Sequence, residues 1–410
     1  MKKAGKNSLD IKENNRYQVL QTLIKNKSLS RAELSKILGL QRSTMTNIIN
    51  ELMEVGLVVE TGLASGKKGR RIIGLTVNTV DYRLVSVRLA RKYFTVIVFN
   101  LLGEVIAEEN EKIEKNQEAN DVMLRIVNTI NCMMQYLEDK KVLGIGVTVP
   151  GPMKSLDDIG LVTEFPGWED ISVKDILSKE FEWSIYLEHD AKAGALAQWW
   201  YDDTIDERDS IMYVAAGQGV GSGIIIRGKL LRGKNGTAGE IGHMSIDYSG
   251  EKCVCGNRGC LEKYCSSIAL LNKLKENLEK YPGSSLNAES QFEDVVEAYK
   301  QGDKLAVFLV NDVSYYLGIG IGNLINIFNF DVVIIADDLS KLGKNFLEQV
   351  IASVKEHCFE TNFEDMQIKL SELSTDPVSL GMCVTVIEKT ISKLSADIVE
   401  VSREKIPLQL

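Results

Sequence analysis

The chain has 410 residues, 44% of them hydrophobic and 26% charged, and its mean hydropathy is close to zero. That composition excludes a disordered, collagen-like or bilayer-filling chain and is expected of an ordinary soluble protein with two or three domains. No run of eighteen apolar residues occurs, and no apolar stretch follows the charged start MKKAGKNSLDIKENN. The expectation is a cytoplasmic protein with no membrane association. Charge is informative once divided. Residues 1–80 carry 14 Lys and Arg against 6 Asp and Glu, a net of +8, while the remainder carries 34 against 51, a net of −17. A basic head on an acidic body points to a polyanion as the partner of the head alone.

The head reads as three helices and a hairpin. Tyr17, Leu20, Leu23 and Ile24 recur at helical spacing. Ser30 followed by Glu33 is a capping box that starts a second helix, and Gly39 ends it. A third helix follows, with Met45, Ile48, Ile49 and Leu52 on its inner face. Two short helices about a glycine turn make a helix-turn-helix. Gln41, Arg42, Ser43, Thr44, Thr46 and Asn47 at the start of the third helix are residue types that reach base edges and phosphates in a major groove. Leu57–Glu60 and Ile72–Leu75 read as strands. The loop between them carries Lys67, Lys68, Arg70 and Arg71, a wing able to follow phosphates.

From about Tyr82 strands alternate with helices, the pattern of an α/β body in two lobes. RLVSVRLA and FTVIVFNLLGEVIAEE read as a strand and a hairpin, and residues 118–139 as one long amphipathic helix. KVLGIGVTVPGPM is a buried strand entering a Gly-Pro turn, and SIYLEHDAKAGALAQWW a strand, a polar turn and a helix. SIMYVAAGQGVGSGIIIRGKLLRG is a second hairpin with a glycine-rich turn. Leu317–Phe330 reads as an apolar helix and VVIIADD as a buried strand. Trp168, Trp183, Trp199 and Trp200 suit core packing, with one of them free to stack on a ligand.

Four of the chain's ten histidines and cysteines, His243, Cys253, Cys255 and Cys260, fall within eighteen residues among Gly250, Gly256 and Gly259. One imidazole and three thiolates form a normal set for a closed structural Zn2+ site. Glu240 and Glu262 flank this knuckle, two carboxylates placed to face a ligand. Cys132, Cys265, Cys358 and Cys383 are scattered and read as reduced core thiols rather than a disulfide framework.

The segments VTVPGP (147–152), PGW (166–168), HDAKAGALA (189–197), GQGVGSGIIIRGKLLRG (217–233), AGEIGH (238–243) and CVCGNRGCLE (253–262) together resemble the ROK family. The winged head places the resemblance in its regulator (NagC/XylR) branch, with most similarity to the xylose repressor group. It extends over essentially the whole chain. It implies a two-lobed actin-like (ribonuclease H-like) sugar-kinase fold behind a winged helix-turn-helix at 1–80. Residues 81–198, completed by a C-terminal helix at about 378–410, would form the first lobe. Residues 199–377 would form the second, with the zinc site and a dimerisation surface. It further implies a sugar pocket between the lobes. Asp190 matches the family's catalytic aspartate; Glu240, His243 and Glu262 match sugar-contacting positions. His189 and Glu164 stand where the family commonly has sugar-binding asparagines, which leaves the sugar open.

The same resemblance argues against catalysis. The first phosphate loop of the family's kinases, Asp-x-Gly-Gly-Thr-Lys, corresponds to VRLARKY here, with Arg88, Ala90 and Arg91 at the aspartate and glycine positions. The second corresponds to AAGQG, with Ala215 and Gln218 in place of threonines, and the Gly-Gly pair to Ala336-Asp337. The resulting expectation is not an enzyme. It is a sugar-responsive regulator, read as a repressor of carbohydrate genes, that binds a palindromic operator as a homodimer, or as a tetramer built from it. Two other readings remain: a sugar kinase with an appended DNA-binding domain, and a ligand-free adaptor regulated by a protein partner.

Overall fold

The computed structural model describes residues 8–65, 71–114, 117–151, 168, 171–206 and 208–404. The chain divides into two compact units, one of residues 1–148, 172–188 and 382–410, the other of 149–171 and 189–381.

The first unit begins with the head: α1 (Ser8–Asn26), α2 (Arg31–Ile37) and α3 (Arg42–Glu54). Their apolar faces meet in a small core of Leu20, Leu23, Leu34, Met45, Ile49 and Leu52, all buried. Each such side chain contributes about 1.5–3 kcal/mol when fully removed from water. Ser30 caps α2 in a complete capping box, its hydroxyl accepting from the Glu33 N–H. The Ser30 N–H and hydroxyl in turn hold the Glu33 carboxyl below the usual carboxylate range. β1 (Val58–Ser65) and β2 (Arg71–Val77) pair antiparallel with a bulge between Glu60 and Leu63. Head and first lobe share one unit. The Asn78 amide donates to the Gly56 carbonyl at 3.0 Å, and the Tyr82 hydroxyl donates to the Val55 carbonyl.

The lobe in this unit contains β3 (Tyr82–Leu89), β4 (Tyr93–Phe99), β5 (Val105–Lys112), α4 (Ala119–Cys132), β6 (Lys141–Val149), α5 (Val173–Glu180) and β7 (Ile185–His189). Its five-stranded sheet runs β5-β4-β3-β6-β7, an antiparallel meander with β6 parallel to β3. The helix expected over 118–139 ends at Cys132 and tightens into a 3-10 turn at Met134–Tyr136. Ile130, Met133 and Leu137 keep helical spacing and are all buried, so the apolar pattern outlasts the α-helical hydrogen bonds.

The second unit contains α6 (Asp190–Tyr201), β8 (Ile211–Ala216), β9 (Val220–Ile226), β10 (Lys229–Leu230), α7 (Glu262–Cys265), α8 (Ser267–Asn277), α9 (Phe292–Lys300), α10 (Lys304–Phe328), β11 (Val332–Ala336), α11 (Lys344–His357), α12 (Glu360–Phe363) and β12 (Gln367–Leu370). α13 (Pro377–Glu404) starts in it and continues into the first unit. The sheet order is β10-β9-β8-β11-β12, with β8, β11 and β12 parallel. Residues 190–198, expected with the first lobe, are α6 and belong to this unit. No polar turn precedes α6: β7 runs straight into it, with His189 extended at the cap position.

α10 starts well before the expected Leu317, because Asp303 caps it by accepting from the Leu305 and Ala306 N–H groups. It ends at Asn329 in the left-handed region (φ 50°). By length and composition it could cross a membrane, yet it is the central core helix of this unit. Leu309, Val313, Leu317 and Ile321 are wholly buried, and Gly318 packs directly on Ser353 and Val350 of α11. Among the scattered cysteines, Cys265 and Cys383 are buried, whereas Cys132 is exposed rather than a core thiol.

Candidate metal and carboxylate site

The loop after β10 brings His243, Cys253, Cys255 and Cys260 together, their ligand atoms all within 4.8 Å of one another. Cys253 Sγ lies 3.7 Å from His243 Nδ1, and Cys255 Sγ 3.6 Å from Cys260 Sγ. Tetrahedral ligands at about 2.3 Å from a common ion stand roughly 3.8 Å apart, so the set fits one cation. Local backbone makes this geometry. Cys253 N–H donates to the Asn257 carbonyl at 2.8 Å and Gly256 N–H to the Cys253 carbonyl at 3.0 Å, closing a knuckle. Gly259 is at φ +61°, and a Cβ there would fall 1.7 Å from the Asp247 carbonyl oxygen. Burial pushes the Cys260 thiol up to about 12, with the neighbouring Cys253 and Cys255 thiols adding to it. Burial also acts to raise Cys255, but the Asn257 N–H and the adjacent thiols outweigh it and lower that thiol. Thiolates crowded this closely need a cation to share a site.

Three residues upstream of His243 the chain turns through a 3-10 segment, Ile241–His243, that begins beside Glu240. Glu240 Oε1 lies 3.5 Å from His189 Nε2, and His189 Nδ1 lies 3.3 Å from Asp190 Oδ1. His189 is therefore flanked by two carboxylates, and it is only 5% exposed. Gly151 lies against this group so closely that a Cβ on it would be 2.2 Å from His189 Nε2 and 3.0 Å from Glu240 Oε1. Asp190 and Glu240 keep partial exposure. Glu262 opens α7, and its Oε2 accepts from the Val220 N–H at 3.0 Å. Gly242 fits between the Val220 carbonyl and the Glu262 side chain, with no room for a Cβ. His189, Asp190 and Glu240 thus make direct contacts, and Glu262 is tied to the same turn through Gly242. His243 directs Nδ1 to the thiols, which leaves Nε2 for a second partner. Glu164 lies outside the described residues.

Lys192 was not singled out in the sequence. It is 1% exposed, and its Nζ donates to the Gly236 carbonyl at 2.6 Å. A lone lysine inside the Ala- and Gly-rich run AKAGALA (191–197) was the signal available. Directly before Val220, the turn Gly217–Gly219 between β8 and β9 meets Asp337, which follows β11. A Cβ on Gly217 would lie 2.7 Å from the Asp337 carboxyl carbon. Asp337 itself takes φ +70° and ψ −157°, a region that is nearly glycine-only.

On the head, Gln41, Arg42, Ser43, Thr46 and Asn47 are exposed and Thr44 is half-buried, on the face of α3 opposite Met45, Ile48 and Ile49. Gln41 makes no side-chain cap bond. Lys67, Lys68 and Arg70 lie outside the described residues, and Arg71 begins β2.

Residues 84–389 match the ROK family model, and residues 10–71 match a MarR family model. The chain is 32% identical over 389 residues to the xylose repressor of Caldicellulosiruptor bescii, covering 93% of this chain and 97% of that one. The crystal structure of a ROK family transcriptional regulator, a homolog of the E. coli MLC protein, superposes with a TM-score of 0.77 at 26% identity, covering 94% of this chain and 99% of that one. The ROK glucokinase of Streptomyces griseus, solved with glucose and AMPPNP, shares the fold at a TM-score of 0.65 and 22% identity, covering 74% of this chain and 98% of that one. With a two-lobed body matched from residue 84 to 389 behind a winged helix-turn-helix, the chain belongs to the ROK family.

Proposed function

We propose that this protein is a sugar-responsive transcriptional repressor that releases operator DNA when its body binds a sugar. The observation that carries the reading is the joining, in one chain, of an exposed polar face on α3 to the Asp190–His189–Glu240 group beside a Cys3His knuckle. The similarity to a xylose repressor along 93% of the chain supports repression and makes a pentose the first ligand to try. Sugar hydroxyls donate well to carboxylates, so Asp190, Glu240 and Glu262 act as acceptors, with His243 Nε2 adding a further contact. His243, Cys253, Cys255 and Cys260 hold Zn2+, which supplies a rigid fold to the loop and takes no part in chemistry. Gln41, Arg42, Ser43, Thr44, Thr46 and Asn47 read bases, and Lys67, Lys68, Arg70 and Arg71 contact phosphates. A homodimer reads a palindromic site in the cytoplasm, because two-fold proteins match two-fold operators.

Catalysis is not part of this reading. ATP phosphates need backbone amides on open glycine loops. Here the Asp337 carboxylate abuts Gly217, and an anion at that place repels another. Asp190 then serves as a ligand contact rather than a base. The test is a mobility shift of the zinc-loaded protein on DNA upstream of its own and neighbouring genes, with xylose, glucose and other sugars. Release by one sugar, with no phosphorylated product when ATP is added, is the expected result. Binding that no sugar alters would sink the sensor reading; phosphorylated sugar would restore the kinase reading.

A further inference from the structure

α6 is buried on all sides, its Ala191, Ala193, Ala195, Ala197 and Trp200 side chains all enclosed. Lys192 sits in the same helix at 1% exposure. Burying an ammonium group is unfavourable unless it is hydrogen-bonded, and methionine would fill similar space with no charge. What lysine adds is a charge-assisted donor. It is used on the Gly236 carbonyl at 2.6 Å, across 44 residues of chain.

Gly236 lies in the segment 232–239, RGKNGTAG, in which no side chain is buried and Lys234, Asn235 and Thr237 are exposed. Such a segment has no apolar anchor to hold it. Its base is closed by the Ala238 N–H donating to the Arg232 carbonyl at 3.1 Å, and by Ser222, whose N–H and hydroxyl both donate to the Gly239 carbonyl at 2.9 and 3.0 Å. Glu240 follows directly and meets His189 Nε2 at 3.5 Å. The chain at the start of α6 therefore meets this stretch at two points, Lys192 at Gly236 within the segment and His189 at Glu240 directly after it.

We infer that Lys192 is a positioning residue: it holds the 232–239 segment on α6 so that Glu240 stays beside His189 and Asp190. His189, enclosed under Gly151, acts with it by tying Glu240 rather than by touching ligand. The consequence for ligand binding rests on the sugar-sensing reading; the consequence for the segment does not.

The test uses the full-length, zinc-loaded protein. Backbone amide exchange is followed by mass spectrometry for Lys192→Met, Lys192→Arg and the native chain. Lys192→Met should speed exchange in peptides covering 232–242 by about tenfold or more, leaving peptides from α1–α3 and α10 unchanged. Lys192→Arg, which keeps the charged donor, should restore most of the protection. Equal exchange in the native chain and Lys192→Met would overturn the inference. So would loss of protection spread evenly over the second unit, since that is a core defect. Should Lys192→Met fail to fold, Lys192→Gln, a shorter neutral donor, is measured in its place against the same criteria. In xylose titrations Lys192→Met should raise Kd about tenfold while sugar-free operator affinity stays within about twofold. If the native protein binds none of the sugars, the sensor proposal fails, and the exchange result still decides the role of Lys192.

Discussion

Asp337 holds a backbone conformation, φ +70° and ψ −157°, that costs a residue with a Cβ about 1–3 kcal/mol. Asp337→Gly should therefore raise unfolding free energy by about 1 kcal/mol in urea titrations; a loss would mean that the carboxylate's contacts outweigh the strain. The candidate metal ligands obey the opposite logic. Cys255→Ser removes one of four donors from a set whose members lie within 4.8 Å of one another. Bound zinc, measured by elemental analysis, should fall from about one per chain to near zero, because a three-ligand site no longer competes with chelators. Unchanged metal content would show that Cys255 is no ligand. The four members of this candidate metal set were legible because they lie within eighteen residues of one another. The strain at Asp337 was not, because φ at one position depends on what packs around it.

α1 is held to α3 by charge as well as by core packing. The buried Arg16 guanidinium donates from Nε and Nη2 to Glu51 Oε2 at 2.9 and 2.6 Å, and Lys12 Nζ lies 2.6 Å from Glu51 Oε1. Burial acts to raise the Glu51 carboxyl, but the Lys12 and Arg16 partners outweigh it and leave it below its ordinary value. A carboxylate depressed in the folded state stabilises above its unfolded pKa of about 4.3, and that stability is lost as pH falls through the lower folded value. Glu51→Gln should cost the head about 1–3 kcal/mol at neutral pH, most of it from the charge-assisted bonds that Arg16 and Lys12 lose with the carboxylate. The difference between variant and native protein in thermal unfolding should shrink below about pH 4; a pH-independent difference would assign the effect to packing. α13 makes a second prediction. At its start, a Cβ on Gly381 would lie 1.7 Å from the Ala193 carbonyl oxygen of α6. Further along, Glu388 Oε1 accepts from the Tyr17 hydroxyl of α1 at 2.8 Å. Gly381→Ala should force α13 off α6 at a cost of about 1–3 kcal/mol. An unchanged melting temperature would show that the contact yields freely. The extent of α10 was only partly legible. Its cap, Asp303, is a single residue in a polar stretch, and its first turn mixes polar and apolar side chains.

For the whole molecule, the division of charge sets how DNA is met. A head of +8 on a body of −17 confines non-specific attraction to the head, and each phosphate contact adds about 0.9 to the salt slope of binding. Arg42→Ala should weaken specific operator binding by about 1–3 kcal/mol and relax specificity at the position it reads, measured by mobility shift on operator variants. Equal loss on every sequence would make Arg42 a phosphate contact instead.

The sequence by itself determined what is local. Helix periodicity and the Ser30 capping box marked the winged head, the Cys and His spacing marked the metal knuckle, and six glycine-rich motifs marked the family. These features are written in short runs, where backbone preference and ligand spacing act over a few residues. Tertiary structure alone decided which distant groups meet: His189 against Glu240, Lys192 against Gly236, Asp337 against Gly217, and α6 with the second unit. Those contacts join residues about 44 to 120 positions apart. Their formation depends on packing and loop closure, which no local pattern encodes.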